Sequence, residues 1–337
     1  MKILVTGGCG YIGSHTIVDL IDNGFETVSI DACFNAHEQT MENIAQITGK
    51  VVTNYRADLC NFEQTQEIFK AERFDGIIHF AAFKSVPESV EQPLKYYHNN
   101  LTSLINLLRL TEQYGIRYFV FSSSCSVYGN ARELPVTEET PFEKPESPYA
   151  HTKQMGEEII MRVSEKSPAR FVLLRYFNPV GAHPSALIGE DPTAVVTAIV
   201  PRITGFASGK FPSFSVYGND YPTRDGTCIR DYIHVMDIAH AHTLALKYLI
   251  ANKQQSPYDV FNLGTGNGVT VLEAIHSFEK VSGKKLNYTI APRRSGDVVA
   301  IYANNQKAKS LLGWEPVYSL DDMMRTAWQW ELRNKQA

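Results

Sequence analysis

Short apolar runs and amphipathic segments alternate along the first half of the chain. Runs rich in β-branched residues and leucine predict strands near residues 2–6, 27–31, 51–55, 75–81, 117–122 and 170–176. The segments between them carry apolar residues at helical spacing, as in Ile12, Ile17 and Ile21. Such alternation predicts an α/β fold, in which a doubly wound parallel sheet has helices on both faces.

The pattern changes after Asn178, where prolines separate shorter elements. We therefore expect a first domain over residues 1–178 and a smaller α/β lobe over 179–337 that binds substrate, with some later segments returning to the first domain. The glycines of residues 262–268 resemble a second dinucleotide turn, but they lack the strand, helix and acidic residue that should follow. We interpret them as a turn before a helix that starts near Val269.

The first strand runs into a glycine turn, Gly7-x-x-Gly10-x-x-Gly13. Gly7 permits the tight turn, Gly10 lets the backbone approach a pyrophosphate, and Gly13 lets the next helix lie against the sheet. A second strand ends in Asp31, 18 residues after Gly13, where a carboxylate would bind the ribose hydroxyls of an adenosine. A turn without a ligand is the alternative for an isolated glycine pattern, but the strand and helix around it favour a dinucleotide.

Asp31 also favours NAD over NADP. Its carboxylate would repel a 2′-phosphate, and no arginine precedes Arg56 to neutralise that group.

A tyrosine and a lysine one helical turn apart form a second motif. Ser147-Pro148 is typical of a helix start, so Tyr149 and Lys153 would share one helical face. A nearby ammonium favours the phenolate and lowers the pKa of a tyrosine that is otherwise a poor base at neutral pH. A surface tyrosine beside a solvated lysine is the alternative.

The run Ser122-Ser123-Ser124 closes a predicted strand. Hydroxyls at the carboxyl end of a parallel strand lie where ligands bind in such sheets, and one of them could complete a proton path from Tyr149. A serine cluster that merely forms a turn is the alternative.

Composition excludes several other classes. The chain has 337 residues, of which 44% are hydrophobic, so it can bury a large core. A net charge of −4 with scattered basic residues gives no case for nucleic acid. No apolar stretch approaches the ~18 residues that span a membrane. The five cysteines lack the spacing of a disulfide framework or a metal site, which favours a reduced, cytoplasmic protein without a metal.

Seven longer segments carry a family resemblance. They are GGCGYIGSHT at 7–16, HFAAFK at 79–84, PLKYYHNN at 93–100, SPYAHTK at 147–153, RYFNPVGAHP at 175–184, DGTCIRDYIHV at 225–235 and APRRSGD at 291–297. In this order they resemble the extended short-chain dehydrogenase/reductases and, over nearly the whole length, the UDP-galactose 4-epimerases among them. The resemblance implies a Rossmann domain that holds NAD and a lobe that holds a UDP-hexose.

The resemblance also implies individual contacts. The catalytic residues would be Ser124, Tyr149 and Lys153. The cofactor contacts would be Gly7, Gly10, Tyr11, Ile12, Gly13, Asp31, Asp58, Leu59, Phe80, Ala81, Ala82, Lys84, Asn99, Ser122, Tyr149, Lys153 and Tyr176. The substrate contacts would be Ser124, Tyr149, Asn178, Ile199, Ser215, Tyr217, Arg230, Arg294, Asp297 and Ile301. In that set, the arginines resemble the family's diphosphate contacts and Asp297 a ribose contact.

The activity implied is the interconversion of UDP-glucose and UDP-galactose. Tyr149 would take the proton of the sugar 4-hydroxyl while C4 passes a hydride to NAD. The 4-keto sugar would then turn and take the hydride back on its other face. Because the net redox change is zero, NAD would stay bound throughout.

Two other functions remain open. A nucleotide-sugar 4,6-dehydratase shares this fold but usually carries Asp-Glu after a threonine as its acid–base pair, where this chain has Ser124-Cys125-Ser126. A redox-sensing NAD-binding regulator would tend to lose the tyrosine–lysine pair, which this chain keeps.

The size of the sugar depends on one position of the family, which falls on Ile301 here. Isoleucine is smaller than the tyrosine found in some members, but it is branched and stiff at χ1. We therefore predict weak activity on UDP-N-acetylhexosamines. Other departures from the family are Ala32 and Thr197-Ala198 in place of asparagines, and Ala82 in place of a glycine.

A homodimer is the last expectation. Between Leu94 and Tyr114, apolar residues at 94, 97, 101, 104, 105, 107 and 108 cover more than one stripe. The helix from Tyr149 adds Met155, Ile159, Ile160 and Val163. Pairing both helices with their symmetry mates would form a four-helix contact, as in the family.

Overall fold

The computed structural model describes residues 1–191, 196–294 and 297–335. Its strands are β1 (Lys2–Thr6), β2 (Glu26–Ile30), β3 (Thr53–Tyr55), β4 (Gly76–His79), β5 (Tyr118–Ser124), β6 (Arg170–Tyr176), β7 (Asn178–Val180), β8 (Ser215–Tyr217), β9 (Ile229–Arg230), β10 (Tyr232–His234), β11 (Tyr258–Leu263), β12 (Val269–Thr270), β13 (Thr289–Ala291) and β14 (Ala300–Ile301). Its α-helices are α1 (Tyr11–Asp22), α2 (Gln39–Thr48), α3 (Phe62–Ala71), α4 (Val86–Glu91), α5 (Pro93–Gln113), α6 (Pro148–Ser164), α7 (Ile199–Ala207), α8 (Val235–Ile250), α9 (Val271–Ser282) and α10 (Leu320–Asn334). Two short helical segments cover Cys125–Tyr128 and Ala308–Leu312.

Seven parallel strands form the central sheet, in the order β11-β6-β5-β4-β1-β2-β3. Their apolar side chains are buried on both faces, as expected of a parallel sheet covered by helices. The predicted α/β fold is therefore confirmed, and the six predicted strands lie within two residues of the observed bounds. β11, from the C-terminal half of the chain, forms one edge of this sheet.

Each face of the sheet carries its own hydrophobic core. On one face α1 packs against α8, burying Leu20, Ile238 and Leu246. On the other face α5 packs against α6, burying Leu107 and Ile160 among others. Both cores include residues at the carboxyl ends of the strands, so packing holds in place the residues from which the following loops begin.

The C-terminal lobe combines small sheets with α7, α9 and α10 around a third core. Its sheets pair β10 with β7, β8 with β13, and β9 with both β12 and β14. The helix predicted near Val269 begins at Val271, because Val269 and Thr270 first pair with β9 and Thr270 then caps the helix.

The glycine-rich turn at residues 264–268 encloses a carboxylate of the chain itself. Buried Asp231 accepts hydrogen bonds from the amides of Thr265 at 2.8 Å, Gly266 at 3.0 Å and Ala303 at 3.1 Å. These amides are used internally, which agrees with the interpretation of this segment as a turn. Across the described ranges, no helix is both long and apolar enough to cross a membrane.

Candidate active site

A cavity of about 1050 Å³ opens along the carboxyl ends of β1, β2, β4, β5 and β6 and extends to α7 and β8. This edge of a doubly wound sheet is where ligands bind in such folds. The volume of the cavity lies at the top of the range of small-molecule sites, about 300–1,000 Å³.

The glycine turn forms one end of the cavity. Gly7 has a φ of +72°, and a Cβ there would lie 2.9 Å from the amide nitrogen of Ala81. A Cβ at Gly13 would collide with the carbonyl of Gly7, so α1 can pack against the turn only without it. Gly10 caps α1 without a side chain, which leaves the helix N-terminus to face an anion.

Asp31 follows β2 at the same end. Its Oδ2 accepts the Cys9 amide at 3.0 Å and its Oδ1 accepts the Cys33 amide at 2.8 Å. Burial raises the pKa of Asp31, while these amide bonds act in the opposite direction. The carboxylate is thus fixed where a ribose would meet it.

Tyr149 and Lys153 meet the serine run at the middle of the cavity. Ser147 caps α6 by accepting the Ala150 amide at 3.1 Å, which places Tyr149 in the first turn. Partial burial raises the pKa of Tyr149 to about 12, and the nearby Ser124 hydroxyl opposes that rise. The arrangement places a phenol near a hydroxyl on the wall of one cavity.

The ammonium of Lys153 is buried beside this pair. Its Nζ donates to the Ser122 carbonyl oxygen at 2.6 Å. Burial lowers the pKa of Lys153 to about 8, and the negative charge of Glu157 opposes that change. A cation so placed favours the phenolate form of Tyr149.

Two arginines and an aspartate form the wall on the side of the C-terminal lobe. Arg294 Nε donates to Asp297 Oδ2 at 2.9 Å, and Arg230 Nη2 lies 3.7 Å from Asp297 Oδ1. The Arg294 guanidinium also lies 5.0 Å from the ring centre of Tyr217. Guanidinium groups in this setting suit a diphosphate, which they can bind in a bidentate manner.

The structure brings nearly all the predicted site residues to this one cavity. Every predicted catalytic and cofactor residue lines it, and so does every predicted substrate residue except Ile301. Asn178 Oδ1 is buried at the wall and has no hydrogen-bond partner among the residues described. Thr197 and Ala198 also line the cavity, whereas Ser295 and Gly296 of the matching segment lie outside the described residues.

Ile301 lies elsewhere. Its side chain is 5% exposed and packs in an apolar cluster with Val127, Phe177 and Ala303, with Cys125 against it. Ile301 therefore does not line the cavity, because this cluster takes up its side chain, and its contact with the sugar stays a prediction. Phe177 lies between Ile301 and the cavity, because it belongs to this cluster and also lines the cavity.

Sequence reasoning missed residues that reach the cavity from distant segments. One of them is Glu190, whose Oε1 lies 3.0 Å from Nζ of Lys84, the lysine expected at the cofactor phosphates. The two residues are 106 positions apart in the sequence. Phe34 also lines the cavity and stacks on Phe83, with ring centres 6.4 Å apart. Only the position of Phe34 three residues after Asp31 could have suggested it.

Comparisons with known proteins agree with this geometry. A family model described as GDP-mannose 4,6 dehydratase matches residues 4–327. The UDP-glucose 4-epimerase of Bacillus subtilis is 46% identical over 335 residues, which cover 99% of this chain and 98% of that protein.

Two solved structures are similar over their whole length. The UDP-glucose 4-epimerase of Bifidobacterium longum, in complex with NAD+ and UDP, has a TM-score of 0.94 and 41% identity, with 99% of each chain covered. The enzyme of Stenotrophomonas maltophila, with bound NAD and formylated UDP-arabinopyranose, has a TM-score of 0.96 and 40% identity, and the match covers 100% of this chain and 99% of that one.

The fold and site correspond to the extended short-chain dehydrogenases/reductases. This class combines a dinucleotide turn after the first strand of a parallel sheet with a tyrosine–lysine pair on a helix that packs against the sheet. The relatives identify the family within that class, because their alignments with this chain cover almost the whole length of both proteins. The chain belongs to the UDP-glucose 4-epimerase family.

Proposed function

We propose that this protein is an isomerase that interconverts UDP-glucose and UDP-galactose with bound NAD. The observation that carries the proposal is one cavity that joins the dinucleotide turn, the Tyr149–Lys153 pair and the two arginines. The relatives support it, since those from Bifidobacterium longum and Stenotrophomonas maltophila were crystallised with NAD and a uridine nucleotide.

The chain fits NAD at the glycine turn. The space that a Cβ would fill at Gly7 and Gly13 is needed by the backbone there, and the uncapped start of α1 suits the pyrophosphate. Asp31, with its oxygens fixed by two amides, suits the adenosine ribose. NAD held there would supply the hydride acceptor and donor for C4 of the sugar.

The residues of the chain move the matching proton. Tyr149 removes the proton of the 4-hydroxyl and later returns it, and the nearby Ser124 hydroxyl completes the proton path. Lys153 holds a positive charge beside them, which stabilises the phenolate.

Substrate binding is unequal along the cavity, which suits a sugar that must present both faces. Arg230 and Arg294 hold the diphosphate firmly, and Tyr217 provides an aromatic surface for the base. Near the hexose, Asn178 Oδ1 supplies an acceptor that has no hydrogen-bond partner among the described residues.

A 4,6-dehydratase reaction receives no support from the site. The residue after Ser124 is Cys125, and burial raises the pKa of its thiol to about 12. It cannot act as the carboxylic acid that such a reaction requires.

The test is conversion without added reductant. Purified protein given UDP-galactose should form UDP-glucose, and its absorbance spectrum should show bound NAD(H). Protein that contains NAD but interconverts no UDP-hexose would contradict the proposal and would favour a regulator that only binds NAD.

The assembly we propose is a homodimer through α5 and α6. Leu94 is 80% exposed and Ile105 44% exposed on α5, and Met155 and Ile159 are half-buried on α6. Such an apolar surface fits a second copy of the chain. Ile105→Glu should give monomers in sedimentation at micromolar concentration. The control is Val51→Glu, which should stay dimeric, because Val51 is at least as exposed as Ile105 but lies off this surface. A monomeric wild type would refute the assembly.

The domain division is also a proposal. It places residues 1–178 in the NAD-binding domain together with the later elements α8 and β11. It assigns most of residues 179–337 to the UDP-hexose lobe. The packing of α8 on α1 and the pairing of β11 with β6 support this division.

The cytoplasm is the compartment we propose, because all five cysteines are free thiols.

A further inference from the structure

We infer that Glu157 and Arg175 are positioning residues for the proton transfer, because their buried ion pair anchors the segments that carry Ser124 and Tyr149 and places a carboxylate one helical turn from Lys153. The inference rests on the proposed function and adds two residues to the three that the sequence indicates for catalysis.

The ion pair joins helix α6 to strand β6. Glu157 lies one turn after Lys153 on α6 and is fully buried. Arg175 Nε lies 2.9 and 3.1 Å from the two carboxylate oxygens, and Nη2 lies 2.6 Å from Oε2. Removing one partner would leave an uncompensated buried charge, so the pair holds the helix of Tyr149 rigidly on the sheet.

Both flanks of Ser124 are attached to this same pair. Ser123, which precedes it in β5, donates its hydroxyl to Glu157 Oε1. Tyr128 closes the short helix that follows Ser124, and its hydroxyl oxygen accepts from Arg175 Nη1 at 2.9 Å. Ser124 and Tyr149 therefore keep their separation because the segments that carry them share one anchor.

The pair also acts on Lys153 through charge. Burial lowers the pKa of Lys153, and the Glu157 carboxylate opposes that change. Among the other titratable groups nearby, His79 on β4 interacts with the charge of Lys153, and Tyr149 on its own helix and Tyr176 on β6 line the same cavity. Burial lowers the pKa of His79 to about 3 and raises that of Tyr176, so both are neutral at working pH.

Groups behind Glu157 complete the electrostatics. Arg175 faces it from β6, with Tyr128 and Glu138 beyond the guanidinium. Arg175 offsets part of the carboxylate charge, but Glu157 lies one helical turn from Lys153 on the same helix and is the anion that acts on it among the described residues.

The experiment compares the pH dependence of kcat for epimerisation in the wild type and in three variants. Glu157→Gln keeps the side-chain shape and removes its charge, so Lys153 should lose its proton at lower pH. We expect the alkaline limb of the kcat profile to move down by about half a pH unit or more, and kcat at the optimum to fall about tenfold. The matched control is Asp237→Asn, which neutralises another buried carboxylate on α8.

Asp237→Asn should lose stability, but the alkaline limb of its kcat profile should stay at the wild-type pH. Glu157→Asp keeps the charge on a shorter side chain, so it should lower kcat without shifting the alkaline limb. An unmoved limb in Glu157→Gln, or an equal movement in Asp237→Asn, overturns the inference. If Glu157→Gln does not fold, Ser123→Ala decides: a several-fold fall in kcat at unchanged KM supports the anchor, and a wild-type kcat refutes it. A wild-type protein without epimerase activity would refute the proposed function instead, so the two failures are distinct.

Discussion

Tyr149 is half-buried on the wall of the cavity, and its phenol oxygen is the group proposed to carry the proton, with Ser124 nearby. Replacing it with phenylalanine removes only that oxygen. Tyr149→Phe should therefore lower kcat by about 100-fold or more, while Ser124→Ala should cost less, about tenfold. The absorbance of bound NAD should be unchanged in both, and near-normal turnover in Tyr149→Phe would exclude it as the base.

Ile301 offers a second test at this scale. Its side chain packs behind Phe177 and contacts no cavity space, so shortening it should change sugar preference only indirectly. We expect wild type to prefer UDP-glucose over UDP-GlcNAc, and Ile301→Cys to raise the kcat/KM for UDP-GlcNAc, relative to UDP-glucose, by less than about tenfold. A larger rise would show that the residue contacts the sugar directly, and equal kcat/KM values in wild type would show that this region does not limit sugar size.

The first helix illustrates how an element depends on one missing side chain. At Gly13 a Cβ would collide with the Gly7 carbonyl, so Gly13→Ala must push α1 away from the turn that is expected to hold the pyrophosphate. We expect loss of bound NAD from the purified variant, read from the ratio of absorbance at cofactor and protein wavelengths.

Gly49→Ala is the matched control for that change. Gly49 ends α2 with a φ of +71° and open space around it, so alanine there strains the backbone by about 1 kcal/mol without approaching the cavity. It should melt at lower temperature yet retain NAD. Retention of NAD in Gly13→Ala would mean that α1 tolerates the displacement.

The sequence predicted those elements whose signal is local. Apolar runs predicted six of the seven strands of the central sheet, and Ser147-Pro148 indicated the start of α6. Contacts between distant segments carried no such signal. Glu190 meets Lys84 across 106 positions, and β11 joins the sheet from beyond residue 250. The spacing of Lys153 and Glu157 was visible, but the role of Glu157 depends on Arg175 from another strand.

For the whole molecule, buried histidines link stability to pH. Burial lowers the pKa of His15 and His79 to about 3, and that of His234 and His242 to about 4. In the unfolded chain these groups bind protons below about pH 6.5, whereas the folded protein keeps them neutral. The unfolded state thus gains protons as pH falls from about 6.5 to 4, and the free energy of unfolding should decrease.

Buried aspartates act in the opposite sense. Burial raises the pKa of Asp237 to about 6, so the folded state takes up this proton first and is relieved of a buried charge as pH falls below that value. Burial raises the pKa values of Asp31, Asp231 and Glu138 in the same direction. The four histidines bind protons in the unfolded chain from about pH 6.5 downward, so acidification from neutral pH to about 5.5 should destabilise the protein.

His15→Asn tests this linkage. The asparagine amide can replace His15 Nδ1, which lies 2.7 Å from the Tyr11 carbonyl, but it binds no proton. Each buried histidine should contribute about 1.4 kcal/mol per pH unit below the pKa of its unfolded form, so the variant should lose that much of the slope. The measurement is urea unfolding at about pH 7.5, 6.5 and 5.5 with NAD in constant excess, with the exposed His98→Asn as the control. A wild-type free energy of unfolding that stays constant between the two lower pH values would contradict the linkage, as would a slope in His15→Asn no smaller than in His98→Asn.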